Sequence, residues 1–201
     1  MLKGIFDGCA AGILIGIGGS VFLSCENKVI GAVFFTVALL SICLLELQLF
    51  TGKVGMLAYS RKKSDIASLV GCLIGNTAGT FICSLLVYFG RPAISAKAVE
   101  LVSAKLNIGM VSVFLSGILC GILMYTAVYC YKSKSTVAAI LFCVPVFILS
   151  GFEHSIADMF YFFTAMSYTP RSLLFIITVI LGNSIGGLLL PILTETGKRF
   201  K

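Results

Sequence analysis

The fold predicted by this sequence is an all-α integral membrane protein of six transmembrane helices, arranged as a single domain over residues 1–201. Three observations carry the prediction. The chain is 59% hydrophobic and only 11% charged, whereas soluble domains run near half apolar and about a quarter charged. A water-soluble fold of this length cannot bury that many apolar side chains and still cover its surface with so few charges. The apolar stretches are continuous, as spanning helices of about 20 residues require, and lack the alternation of a membrane barrel. Soluble enzymes, nucleic-acid binders and disordered chains are thereby excluded. The net charge of +7 comes from short basic clusters between apolar runs, where membrane topology places them.

The first run covers about residues 5–24 and reads as a retained span, since no convincing cleavage site follows it. After a polar turn at Cys25-Glu26-Asn27-Lys28, the second run covers about 29–59 and is interrupted by Thr51-Gly52-Lys53. The third covers about 66–89. Residues 90–106 read as a mixed loop with Pro92 and several charges. The fourth run is about 108–131. The fifth, about 136–168, is interrupted at Gly151-Phe152-Glu153-His154-Ser155, and the sixth is about 172–193.

Orientation follows from the basic residues. With the N-terminus inside, the inner segments carry Lys3, Arg61, Lys62, Lys63, Lys132, Lys134, Lys198, Arg199 and Lys201, nine against the five outer residues Lys28, Arg91, Lys97, Lys105 and Arg171. The expectation is a multi-pass protein of the cell (inner) membrane with both termini cytoplasmic. The eight cysteines show no zinc-type spacing and mostly sit in apolar runs, where a thiol behaves as a small hydrophobe.

An internal repeat divides the chain into two halves, about 1–90 and 106–201. Gly12 and Gly16 in the first run pair with Gly117 and Gly121 in the fourth, an offset of 105. Gly75-Asn76 and Gly79 in the third run pair with Gly182-Asn183 and Gly186 in the sixth, an offset of 107. Three spans per half reverse the second half across the membrane, giving inverted repeats. Glycines four apart line one helix face and let backbones approach closely. Runs 2 and 5 lack that ladder and carry the polar interruptions instead, so helices 2 and 5 are expected to be broken.

Irregular backbone at membrane depth is tolerated where it lines a cavity or is buried in protein, and paired broken helices point to a transport path. The first break holds Gln48, Leu49, Phe50, Thr51 and Lys53; the second holds Glu153, His154 and Asp158. Half-helices starting after each break aim free N–H groups inward, which favours an anion. His154 is the single histidine of the chain, and an ionisable residue within an apolar run is a functional candidate. Glu153 suits the free N–H groups of its break. Asp158, four residues on, shares the His154 helix face. Thr51 offers a hydroxyl to His154 if the breaks meet. Lys53 either attracts anions or snorkels to an interface, and Glu46 has no assigned role.

At these residues the sequence resembles the formate/nitrite transporter family. Residues Ser150 to Phe160 are close to its GFEHSxAN-M signature, Leu49-Phe50-Thr51-Gly52 to its LFTG loop, and Leu181 to Gly187 to its LGNxxGG stretch. The resemblance implies a homopentamer of aquaporin-like protomers, each with its own pore for small monovalent anions: formate, nitrite, hydrosulfide or short carboxylates. It implies that His154 is the central pore histidine, faced by Thr51, with Asn183 as a pore-side amide. Phe35, Leu39, Leu49, Phe50 and Phe147 fall where the family places apolar constrictions, and Lys105 matches a vestibule lysine. The chain departs from the pattern at Gln48 (glutamate in the family), Lys53, Gly121 and Asp158 (asparagine in each case) and over Phe175 to Val179.

The functional expectation is an anion channel or transporter, proton-linked through the histidine. Its partners are the anion, protons and the lipid bilayer, without nucleic acid, cofactor or metal. The alternative is a membrane accessory protein, or a family variant with altered or lost transport. One histidine with two nearby carboxylates makes a poor catalytic set, so an embedded enzyme is not expected.

Overall fold

The computed structural model describes residues 1–60 and 62–198, with side chains described as far as Glu195. Arg61, Arg199, Lys201 and the Lys198 side chain, which entered the orientation count, lie outside the described residues. Helix and connecting loops account for everything described; there is no strand among the described residues.

Helix α1 (Leu2–Ser24) packs along α4 (Lys63–Gly90), and α6 (Met110–Lys134) packs along α9 (Pro170–Lys198). Glycine makes both pairings possible. A Cβ on Gly12 would strike the Asn76 carbonyl oxygen, and one on Gly121 would strike that of Asn183. No side chain fits at 121, so the family's asparagine is incompatible with this packing. These four helices are long and apolar enough to cross a membrane. Large apolar side chains such as Phe6, Phe89, Val111 and Phe142 are about three-quarters exposed around the outside.

The register of the repeat differs from the expected one. Gly8 lies against the Asn76 nitrogen and Gly117 against that of Asn183, so Gly8 and Gly117 correspond, with Gly12 matching Gly121. The offset is 109, one helical turn away from the expected 105. The ladder Gly4, Gly8, Gly12, Gly16 repeats every four residues, so glycine spacing alone cannot choose between adjacent turns.

Two shorter apolar helices complete the bundle: α2 (Lys28–Leu44) and α7 (Ala138–Leu149). The Asn27 side chain caps α2 by accepting from the Val29 and Ile30 amides at 2.9 and 3.2 Å. Helix α7, with 12 residues, reaches ~18 Å, less than the ~30 Å hydrocarbon thickness. Residues 45–49 follow α2 and lead into α3 (Phe50–Lys53) and a 3-10 turn (Val54–Ala58). Residues 150–154 follow α7 and lead into α8 (Ser155–Thr164). The first interruption therefore lies upstream of Thr51-Gly52-Lys53, and those three residues are helical.

Residues 90–106, expected as a loop, instead form helix α5 (Pro92–Leu106). Pro92 occupies its first turn, where the missing N–H costs nothing. Ile94, Ala98 and Val102 recur every four residues and are buried, so the segment is amphipathic. This helix carries Lys105 to Glu153, in residues 150–154.

Candidate functional site

The two crossings, residues 45–49 and 150–154, are built alike. In the first, the Leu47 N–H donates to the Ile42 carbonyl at 2.9 Å; in the second, Phe152 N–H donates to Phe147 at 2.9 Å. Each closure needs one residue in the left-handed region: Glu46 (φ 54°) and Gly151 (φ 68°). Every position of one crossing lies 105 residues from its counterpart. Glu46, to which the sequence assigns no role, is thus the exposed turn residue that ends α2.

One buried asparagine clamps each crossing. Asn76 Oδ1 accepts from the Phe50 N–H at 2.8 Å, while Nδ2 donates to the carbonyls of Gly8 (2.8 Å) and Gln48 (3.0 Å). Asn183 Oδ1 accepts from Ser155 N–H at 2.8 Å, while Nδ2 donates to Gly117 (2.8 Å) and Glu153 (2.9 Å). Both are fully buried. Asn183, expected as a pore-side amide, has its Oδ1 and Nδ2 engaged with backbone. Asn76 is a site residue that sequence reasoning missed, although its place in the repeat is the signal that points to it.

The crossings bring Leu49 and His154 to equivalent places and set Thr51 against the histidine, with Thr51 Oγ1 2.9 Å from His154 Nε2. The Ala157 N–H donates to His154 Nδ1 at 3.1 Å, so the ring is the N-cap of α8. Nδ1 therefore carries no proton; the ring proton sits on Nε2 and is donated to Thr51. Phe147 stacks on the imidazole, centroids 5.5 Å apart, and Phe35 meets Phe147 edge-on.

A lysine lies close to each crossing, in different company. At the first, Lys53 donates to Gln48 Oε1 and to Ser68 Oγ (2.7 Å), and Gln48 Nε2 donates to Asp7 at 3.1 Å. At the second, Lys105 bridges Glu153 and Asp158, reaching Asp158 Oδ1 at 3.0 Å. Burial draws the Lys105 ammonium down, but the Asp158 and Glu153 carboxylates outweigh it and push the lysine up to about 12.

One cavity is lined by residues of the first crossing and another by His154 and residues of the second. The larger, about 680 Å³, is lined by Leu49, Gln48, Lys53, Glu46, Tyr131 and Lys132 among others. The smaller, about 120 Å³, is lined by Phe35, Phe147, Lys105, His154, Asp158 and Tyr161 among others. Of the expected constriction residues, Phe35, Phe147 and Leu49 border a cavity; Leu39 and Phe50 are buried but border neither of these two. Tyr131, Lys132 and Tyr161 are lining residues that the sequence does not single out. No cluster suited to a metal occurs among the described residues.

The chain is similar to known proteins. The chain is 26% identical to the formate channel FocB of Escherichia coli over 178 residues, covering 75% of this chain and 62% of that protein. It is 30% identical to the uncharacterized transporter YwcJ of Bacillus subtilis, covering 74% and 68%, and 28% identical to the nitrite transporter NirC of Escherichia coli, covering 79% and 63%. The aligned part thus spans under two-thirds of FocB and NirC. Among solved structures, a pentameric formate channel with formate bound superposes with a TM-score of 0.83 at 23% identity, covering 99% of this chain and 97% of that one. An ion channel of the same family gives 0.78 at 23% identity, covering 98% and 88%. The family described as "Formate/nitrite transporter" matches residues 1–196, and the chain therefore belongs to the formate/nitrite transporter family.

Proposed function

We propose that this protein moves small monovalent anions, of the formate and nitrite class, across the cell membrane together with a proton. The observation that carries the proposal is the Thr51–His154 hydrogen bond, at the meeting of two pseudo-equivalent crossings. In this reading the chain crosses the membrane six times as two inverted repeats, about 1–90 and 106–201. Helices 2 and 5 are broken at residues 45–49 and 150–154, and both termini lie in the cytoplasm. Five protomers assemble around an axis, each with its own aquaporin-like pore; the pentameric formate channel with the same fold supports this.

The mechanism starts from the cost of dehydrating a charge, which is prohibitive for a bare anion among Phe35, Phe147 and Leu49. Lys53, held by the neutral groups Gln48 and Ser68, raises the local anion concentration at its end of the path. The anion gains a proton before the constriction and crosses as the neutral acid. Thr51 and the Nε2–H of His154 then supply hydrogen bonds that replace lost water. With Nδ1 accepting from the α8 backbone, the neutral ring has no proton to give away. The histidine thus guides the acid through, and coupling arises because only the protonated form passes.

His154→Phe removes both the Thr51 partner and the α8 cap, and is expected to abolish formate-driven proton uptake in proteoliposomes. His154→Asn restores a capping acceptor and is expected to keep the fold while still losing most uptake. Unchanged uptake in both variants overturns this role for the ring.

A further inference from the structure

Glu153 and Asp158 share one ammonium, that of Lys105, in a setting where the two acids are 3% and 1% exposed. Lys105 satisfies Asp158 Oδ1, but the buried Oδ2 has no hydrogen-bond partner. The groups facing Asp158 are Lys105 from α5, Glu153 and His154 from the second crossing, Tyr161 from its own helix and Cys120 from α6. Lys105 is the only lysine or arginine among them. A buried site with two carboxylates and one cation carries an uncompensated negative charge unless one acid holds a proton. Asp158 also lines the 120 Å³ cavity next to His154, and it stands where the family pattern has an amide that cannot exchange a proton.

We propose that Asp158 is a proton-exchanging group of the pore, supplying the proton that the neutral His154 ring cannot. Its Oδ2–H bond breaks as an O–H bond forms on the incoming anion, and the neutral acid passes His154. The carboxylate left behind is held by Lys105 until it takes a proton from hydronium on the Lys105 side. One anion and one proton cross per cycle. The inference rests on the anion path proposed above.

The test compares wild type with Asp158→Asn. Formate uptake into proteoliposomes is followed by stopped flow across a pH series, and the infrared spectrum of the purified protein is recorded. The asparagine variant cannot develop the negative charge, so the wild-type to variant rate ratio is expected to fall by about tenfold toward alkaline pH. Lys105, held at about 12, keeps its charge over that range and does not produce the change. A carbonyl band of a protonated carboxyl group is expected in wild type, shifted by isotope labelling of aspartate and missing from the variant. A rate ratio flat across pH, or a wild-type spectrum without an aspartate-derived acid band, overturns the inference. If the variant does not fold, the labelled wild-type band and its loss on raising pH decide the matter. If neither protein moves formate at any pH, the transport reading fails, while the band still reports on Asp158.

Discussion

The two crossings share a backbone and differ in chemistry. Ile42 and Phe147 accept the same closing hydrogen bond, and Asn76 and Asn183 make the same three contacts. At the tip, however, Leu49 of one crossing corresponds to His154 of the other, and a few residues further on Lys53 corresponds to Asp158. The scaffold thus depends on asparagines that make the same three main-chain hydrogen bonds, while the positions aimed at the cavities are free to diverge. One crossing presents an apolar tip backed by a cation. The other presents a hydrogen-bonding ring backed by two acids and a shared lysine.

The clamps offer the strongest way to break that comparison. Asn76→Ala or Asn183→Ala strands one backbone N–H and two carbonyls in a buried place. Each variant is expected to lose about 3–5 kcal/mol, at about 1–3 kcal/mol per unsatisfied group with partial relaxation. Thermal unfolding in detergent should register the two losses as similar. A large loss at one asparagine and a negligible one at the other would show that the crossings are not equivalent supports.

The chemical difference is tested at Lys53. Its ammonium is held by the neutral acceptors Gln48 and Ser68, so its charge faces the 680 Å³ cavity without a directly bonded carboxylate. Lys53→Met is expected to slow formate uptake about three- to tenfold at low salt, with the difference shrinking as ionic strength rises. Lys105, by contrast, is neutralised by two acids, so Lys105→Met should disturb the pH profile more than the salt dependence. Equal salt sensitivity in both variants would erase the proposed division of labour.

Parts of this arrangement are legible in the amino-acid sequence. The interrupted apolar runs and the glycine ladders follow from residue spacing and the cost of polar groups in lipid, while the pairing of Thr51 with His154 is what the family resemblance implies. Other parts are not. A four-residue glycine period is degenerate, so the Gly8–Gly117 register is fixed only when Asn76 and Asn183 find their carbonyls. Residues 90–106 mix charges with small apolar groups, and their helical face emerges only against α8 and α4. The capping role of His154 is hidden because a histidine is an uncommon N-cap. The shared lysine depends on α5 bringing position 105 beside positions 153 and 158, which no local pattern encodes.

The smallest expected effect concerns the turn residues, and it isolates the backbone from the chemistry. Both crossings turn through a left-handed residue, but one uses Gly151 and the other Glu46. A side chain in that conformation costs ~1–2 kcal/mol relative to glycine, offset in part by glycine's greater freedom when unfolded. Glu46→Gly is therefore expected to stabilise the protein by about 0.5–1 kcal/mol, and Gly151→Ala to destabilise it by about 1 kcal/mol. No Cβ clash opposes the alanine, since nothing lies within 4 Å of that position, so its cost reports conformation alone. Paired melting curves read both changes. Because Glu46 also lines the larger cavity, uptake by Glu46→Gly separates two roles. Unchanged transport with raised stability leaves Glu46 a turn residue; faster transport shows that its charge also opposes anions beside Lys53.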